Sequence, residues 1–167
     1  MINYTTTQIQ SLALLIFFGL WSLYTFYCLY KRVKNKSLLS KNRTLKKLKK
    51  LSWEDFELLT MELFETLGWS VEGNVKKGAD GGVDIWMEKT SWMKQDVYAI
   101  VQCKRYEDTV VTVKVIREMY GLMHEYEVDE VYVVTTSRFT KECYAFSQGK
   151  KITLIDGEGL VRLIEKV

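Results

Sequence analysis

The first thirty residues contain no Lys, Arg, Asp or Glu, whereas the next twenty contain ten Lys or Arg and no acid. That border constrains the chain more than any single motif. From Leu12 to Tyr30 the side chains are apolar or aromatic, interrupted only by Gly19, Ser22 and Thr25. At a rise of ~1.5 Å per residue such a helix reaches about 28 Å, close to the ~30 Å hydrocarbon core of a bilayer. Trp21, Tyr24, Tyr27 and Tyr30 gather in its C-terminal half, where an interfacial aromatic belt would lie. A buried core helix this apolar would need a larger domain around it. A cleaved signal peptide would want a basic start and a small-residue cleavage site, and residues 1–11 offer neither. The expectation is therefore one transmembrane helix over 12–30, preceded by a short extracytoplasmic N-terminus over 1–11. Lys31, Arg32, Lys34 and Lys36 follow directly, and the positive-inside rule then places everything after them in the cytoplasm of a single-pass cell-membrane protein.

Residues 31–50 read as a basic cytoplasmic linker that touches the headgroups of membrane lipid, with contact to DNA phosphate as the sharper alternative. The remaining 51–167 hold fourteen basic against twenty-one acidic residues, a net charge of −7. The overall +3 describes neither half, so the chain's basicity is no argument for nucleic acid. Cys28, Cys103 and Cys143 form no spaced pair, and with His124 as the one histidine no zinc site of Cys and His is available. Without proline, only Gly, Asn and Asp punctuate the chain.

The globular part begins near Leu51. Ser52 and Asp55 suggest a helix cap, and Trp53, Phe56, Leu59, Leu63 and Leu67 recur at helical spacing up to Gly68. Strands are expected over 69–75, 83–88 and 96–104, with a tight loop over 78–82 between the first two. Thr112 caps a helix to about Tyr126, a strand covers 130–136, a short helix 140–148, a strand 151–155, and Asp156 caps a terminal helix. The order is αβββαβαβα, an α/β domain with a mixed β-sheet flanked by helices.

Two of these strands carry possible chemistry. Alternation sends Val83, Ile85 and Met87 to one face of the first and Asp84 to the other. In the second, Val101 and Cys103 share one face while Gln102 and Lys104 share the opposite, exposed one. If the strands pair as a hairpin, Asp84 sits beside Gln102, and a carboxylate, an amide oxygen and an ammonium come together. Phosphodiester hydrolysis uses such a set: oxygen ligands for Mg²⁺, and a cation to orient water or stabilise the transition state. The same spacing also suits a solvated strand face, and the residues alone leave both readings open.

Five segments together resemble one family. They are Phe56-Glu57 with Leu67-Gly68-Trp69; Gly78-Ala79-Asp80-Gly81-Gly82-Val83-Asp84; Val101-Gln102-Cys103-Lys104-Arg105; Val133-Val134-Thr135-Thr136-Ser137-Arg138-Phe139-Thr140; and Ile152-Thr153-Leu154-Ile155-Asp156-Gly157. In order and spacing, 51–167 resembles the catalytic domain of the Mrr-type restriction endonucleases, of the PD-(D/E)xK nuclease fold. The resemblance implies Asp84 as the metal-binding aspartate and Gln102 in the position where the wider superfamily has Glu. It implies Lys104 as the catalytic lysine, Glu57 as the first-helix glutamate reaching toward the metal, and the Cys103 backbone carbonyl as a further ligand. With Gln at 102 the site loses one negative charge, so Glu57 matters more.

Asp80 suits a structural turn better than a metal ligand. His124 has no partner at ligand spacing, Cys143 reads as a packed small side chain, and Gly149-Lys150 lacks the glycine that would precede it in a phosphate-binding loop. The expectation is a membrane-anchored, Mg²⁺-dependent endonuclease of double-stranded DNA, serving restriction of foreign DNA, with a homo-oligomer left open. The alternatives are a non-cleaving, membrane-tethered DNA-binding or sensing module and a protein-binding membrane scaffold. Because the domain is acidic, DNA contact would rest on local patches such as Lys76, Lys77, Lys104, Arg105 and Lys114.

Overall fold

The computed structural model describes residues 6–73, 82–90 and 95–167, without the side chains of 6–9, 11–12, 28 and 31–37. The chain divides into two compact units, Met1–Ser37 and Leu38–Val167. Most of the first is helix α1 (Thr6–Lys41), whose last residues belong to the second unit. Between Leu14 and Tyr30 every large apolar or aromatic side chain described is 55–71% exposed. Among the described residues, however, no helix is long and apolar enough to cross a membrane. The span expected over 12–30 is therefore not supported among the described residues, which leave out the side chains of 11–12, 28 and 31–37. The topology-setting side chains of Lys31, Arg32, Lys34 and Lys36 lie outside the described residues.

The second unit starts earlier than the sequence suggested. Leu39 and Leu48 are buried in its core, so the later part of the basic segment is packed rather than a free stalk. Leucines at 38, 39, 48 and 51 among the lysines carry that packing, with Leu48 on the short helix α2 (Leu45–Leu48). Helix α3 (Trp53–Thr66) begins at Ser52, whose hydroxyl accepts from the Asp55 amide at 3.0 Å. Strands β1 (Ser70–Gly73), β2 (Ile85–Lys89) and β3 (Val97–Lys104) follow. Then come α4 (Val113–Glu125), β4 (Glu130–Thr135), α5 (Lys141–Ser147), β5 (Ile152–Ile155) and α6 (Gly157–Glu165). From α3 onward this is the expected order.

The sheet runs β1-β2-β3-β4-β5, antiparallel through β3 and parallel from β3 to β5. Helices α3 and α6 cover one face and α4 and α5 the other, which leaves β3 and β4 buried on both sides. Their sequences accordingly read as near-continuous apolar runs rather than as half-solvated strands. Along β3, Ala99, Val101 and Cys103 enter the α3–α6 core, while Ile100 enters the α4–α5 core. Two expectations fail here. Gln102 is 3% exposed rather than on an open face, because the α4–α5 layer lies over that side. Val83 precedes β2 and turns into the α4–α5 core, away from Ile85 and Met87, because regular alternation starts only at Ile85.

Candidate active site

The antiparallel register pairs Ile85 with Val101, and its continuation sets Asp84 opposite Gln102. The Asp84 amide donates to the Val101 carbonyl at 3.0 Å, which fixes the backbone on the threshold of β2. One carboxylate oxygen of Asp84, Oδ2, accepts from the Cys103 backbone N–H at 2.7 Å and from the Gln102 side-chain amide. The same amide nitrogen lies 3.5 Å from the Cys103 carbonyl oxygen. Two acceptor oxygens thus converge on one donor at the end of the hairpin.

Burial raises the Asp84 carboxyl above its ordinary range. The Cys103 amide, the charge of Lys104 and the Gln102 amide each oppose that rise. Cys103 itself is wholly buried, and its thiol is pushed well up, first by burial and then by the charges of Asp84 and Glu57, against the Thr60 hydroxyl and the Lys104 charge. Glu57 on α3, Asp84 just before β2 and Lys104 on β3 are thus all near enough for their charges to bear on the Cys103 thiol. Lys104 extends toward α3, with Nζ 5.7 Å from the centre of the Trp53 ring. The Trp53 indole N–H donates to Glu57 Oε1. The expected carboxylate–amide pair and the Cys103 carbonyl are thus brought together directly, and Lys104 and Glu57 are joined through Trp53.

A divalent metal suits this donor set. Among the described residues no group of three or more His, Cys, Asp or Glu side chains could hold one, so a cation here depends on neutral oxygens. Mg²⁺ accepts that arrangement, since it binds one or two carboxylates and keeps several waters. The convergence of Asp84 Oδ2 and the Cys103 carbonyl supplies two hard oxygens at one point, and the Gln102 carboxamide can supply a third.

Other residues singled out in the sequence fall elsewhere. Lys76, Lys77 and Asp80 lie outside the described residues. Arg105 Nη1 donates to the Lys49 carbonyl at 2.9 Å and lies 3.3 Å from Glu107, tying the basic segment to the domain. Lys114 is exposed, and His124 is exposed with its ring edge against Tyr120. Cys143 is buried, its thiol 3.3 Å from the Val111 carbonyl, in keeping with a packing role. Trp53 was missed as a site residue, although its position four before Glu57 puts both on one helical face. Glu62 was also missed. It is 3% exposed and neither carboxylate oxygen makes a hydrogen bond of good geometry among the described residues.

The hairpin lies inside the stretch of chain that a known family matches. A restriction endonuclease family model, that of the Mrr catalytic domain, matches residues 48–164. The chain belongs to that family. Its start at 48 agrees with the burial of Leu48 in the core. Among solved structures, this Mrr-type chain is similar to the DNA modification-dependent restriction endonuclease AspBHI, with a TM-score of 0.58 and 17% identity over 79% of this chain and 35% of that one. It is also similar to AF1548, a protein of unknown function, with a TM-score of 0.53 and 16% identity over 65% of this chain and 62% of that one. The chain spans about a third of the first relative's length and less than two thirds of the second's, and the likeness is one of fold. No curated protein matches it.

Proposed function

We propose that this Mrr-type nuclease is a divalent-metal-dependent endonuclease that hydrolyses phosphodiester bonds of double-stranded DNA in the restriction of foreign DNA. The observation that carries the reading is the meeting of Asp84 Oδ2, the Gln102 carboxamide and the Cys103 carbonyl at the end of the β2–β3 hairpin. Asp84, Gln102 and the Cys103 carbonyl would hold Mg²⁺, with Glu57 reaching in from α3. The bound cation supplies Lewis-acid polarisation of the phosphoryl group and a more acidic water. The Cys103 amide holds the Asp84 carboxylate in place and favours its charged form. Lys104, braced against Trp53, places a positive charge beside the scissile phosphate, where it orients the attacking water and stabilises the developing negative charge. Trp53 holds Glu57 through its indole N–H. The test is conversion of supercoiled plasmid to open-circular and linear forms by the full chain, with and without Mg²⁺. DNA binding with no cleavage under any divalent metal would favour the non-cleaving DNA-sensing alternative.

We also infer that residues 12–30 hold the chain at the cell membrane, with the nuclease unit on the cytoplasmic side. The support is the exposure of every large apolar side chain described from Leu14 to Tyr30, which leaves no charged face to this part of α1. The Lys and Arg residues that follow supply the positive-inside signal. Protease added outside spheroplasts should leave the nuclease unit intact, and its digestion would reject the orientation.

A further inference from the structure

The Gln102 carboxamide stands between two sets of partners. Its nitrogen faces the Asp84 carboxylate and the Cys103 carbonyl. Its oxygen faces Gly82: a Cβ placed on that glycine would lie 2.9 Å from Gln102 Oε1 and 3.6 Å from Glu118 Oε1. Gly82 has a φ of +99°, a conformation that excludes other residues in practice, so the gap beside the carboxamide is built into the turn. Glu118 reaches the same gap from α4, the helix that covers this face of β3.

The present orientation suits the site without a cation and opposes one with it. The amide N–H group carries partial positive charge and faces two acceptors, the Asp84 carboxylate, which the Cys103 N–H also supports, and the Cys103 carbonyl. A cation at those acceptors would meet the N–H group directly. Rotating the carboxamide about its terminal torsion exchanges oxygen for nitrogen with little change of shape, and that torsion is soft. The exchange turns Oε1 inward as a ligand and Nε2 outward into the gap bordered by Glu118, where a carboxylate can accept from it. In the present orientation Gln102 Oε1 and Glu118 Oε1 both border that gap, and neither can donate to the other.

Resting on the metal-site reading above, we propose that Gln102 works as a two-position carboxamide, with its nitrogen inward in the free site and its oxygen inward in the loaded one. Glu118 is the positioning residue that receives the outward-turned nitrogen. Its role is acceptance of a hydrogen bond, which a carboxylate or an amide oxygen performs and a methyl group does not. Replacing Gln102 by Glu removes the need for it, because a carboxylate offers oxygen in either orientation.

The probe is Mn²⁺ alone, without DNA, titrated into the full chain in detergent micelles and followed by the electron paramagnetic resonance signal of the free ion. Glu118→Ala should weaken Mn²⁺ binding about tenfold, the scale of one charge-assisted hydrogen bond. Glu118→Gln should bind within about twofold of the native chain, since its amide oxygen still accepts. In a Gln102→Glu background, Glu118→Ala should cause no weakening. Unchanged affinity in Glu118→Ala would overturn the proposal, as would an equal loss in Glu118→Gln or in the Gln102→Glu background, both of which indicate a through-space charge effect. Failure of the underlying metal-site reading looks different: native Mn²⁺ binding that is absent, or that survives Asp84→Ala, rejects the site and this proposal with it. Circular dichroism of each variant excludes misfolding as the source of a loss.

Discussion

Two carboxylates are withdrawn from water in the nuclease unit, and they are treated in opposite ways. Asp84 stands at the end of the hairpin with a backbone N–H, a side-chain amide and a lysine charge directed at it. Glu62 sits on α3 in the core, where neither oxygen makes a hydrogen bond of good geometry among the described residues and the Leu39 backbone gives the carboxylate its one weak support. Burial raises both carboxyls, but Glu62 goes from 4.5 to about 7, with the neighbouring Glu65 adding to the rise and the Leu39 backbone offsetting only part of it. The difference separates a carboxylate whose charged form several donors and a cation favour from one whose charged form has little support. Burial alone does not mark a site; donors aimed at the charged form do.

The largest way to break this contrast is to remove the positive charge that faces Asp84. Lys104→Ala should reduce Mg²⁺-dependent plasmid cleavage by about 10²–10³-fold, the scale seen when one group stabilising transition-state charge is lost. Its thermal stability should change little, since Lys104 is half-buried at a strand end. Cleavage at the native rate would remove Lys104 from the mechanism.

Glu62 makes the next prediction, on stability against pH. Its folded-state value lies above its ordinary one, so the folded state holds a proton that the unfolded chain releases. Stability should therefore be highest below about pH 4.5 as far as this group is concerned. It should fall as the pH rises through about 7, by on the order of 2–3 kcal/mol, and level off above. Chemical denaturation across that window measures it, and Glu62→Gln should flatten the slope. A slope that persists in Glu62→Gln would assign it to another group. Glu62→Leu sharpens the point at pH 8: a well-packed apolar side chain should raise stability by about 1–2 kcal/mol while cleavage stays at the native level. The smallest effect is expected at the brace. Trp53→Ala should lower cleavage only several-fold, through looser placement of Lys104 and Glu57, with binding of plasmid nearly unchanged.

The sequence made the sheet legible because its strands are short, β-rich and separated by clear helical periods, and the order from α3 onward follows from that pattern. It also made the Asp84–Gln102 pairing legible, since a hairpin register carries no freedom once one face must be buried. What it hid was depth. Gln102 looked exposed because alternation reports which face a residue takes, not whether a helix covers that face. The start of the unit was hidden by lysines at 46, 47, 49 and 50, which mask the leucines at 39 and 48 that enter the core. Glu62 lay unseen inside an ordinary amphipathic helix, and Glu118 within another, because their significance comes from neighbours far away in sequence.

The central claim is that Asp84, held by two donors, and not Glu62, is the working carboxylate. The measurement that tests it most directly is Mg²⁺-dependent cleavage of supercoiled plasmid by the full chain carrying Asp84→Asn or Glu62→Gln, assayed side by side. Each change removes one charge and keeps the shape of the side chain. Asp84→Asn should leave only background cleavage in a chain that still folds, and Glu62→Gln should cleave at the native rate. Native-rate cleavage by folded Asp84→Asn, or loss of cleavage in folded Glu62→Gln, would contradict the account.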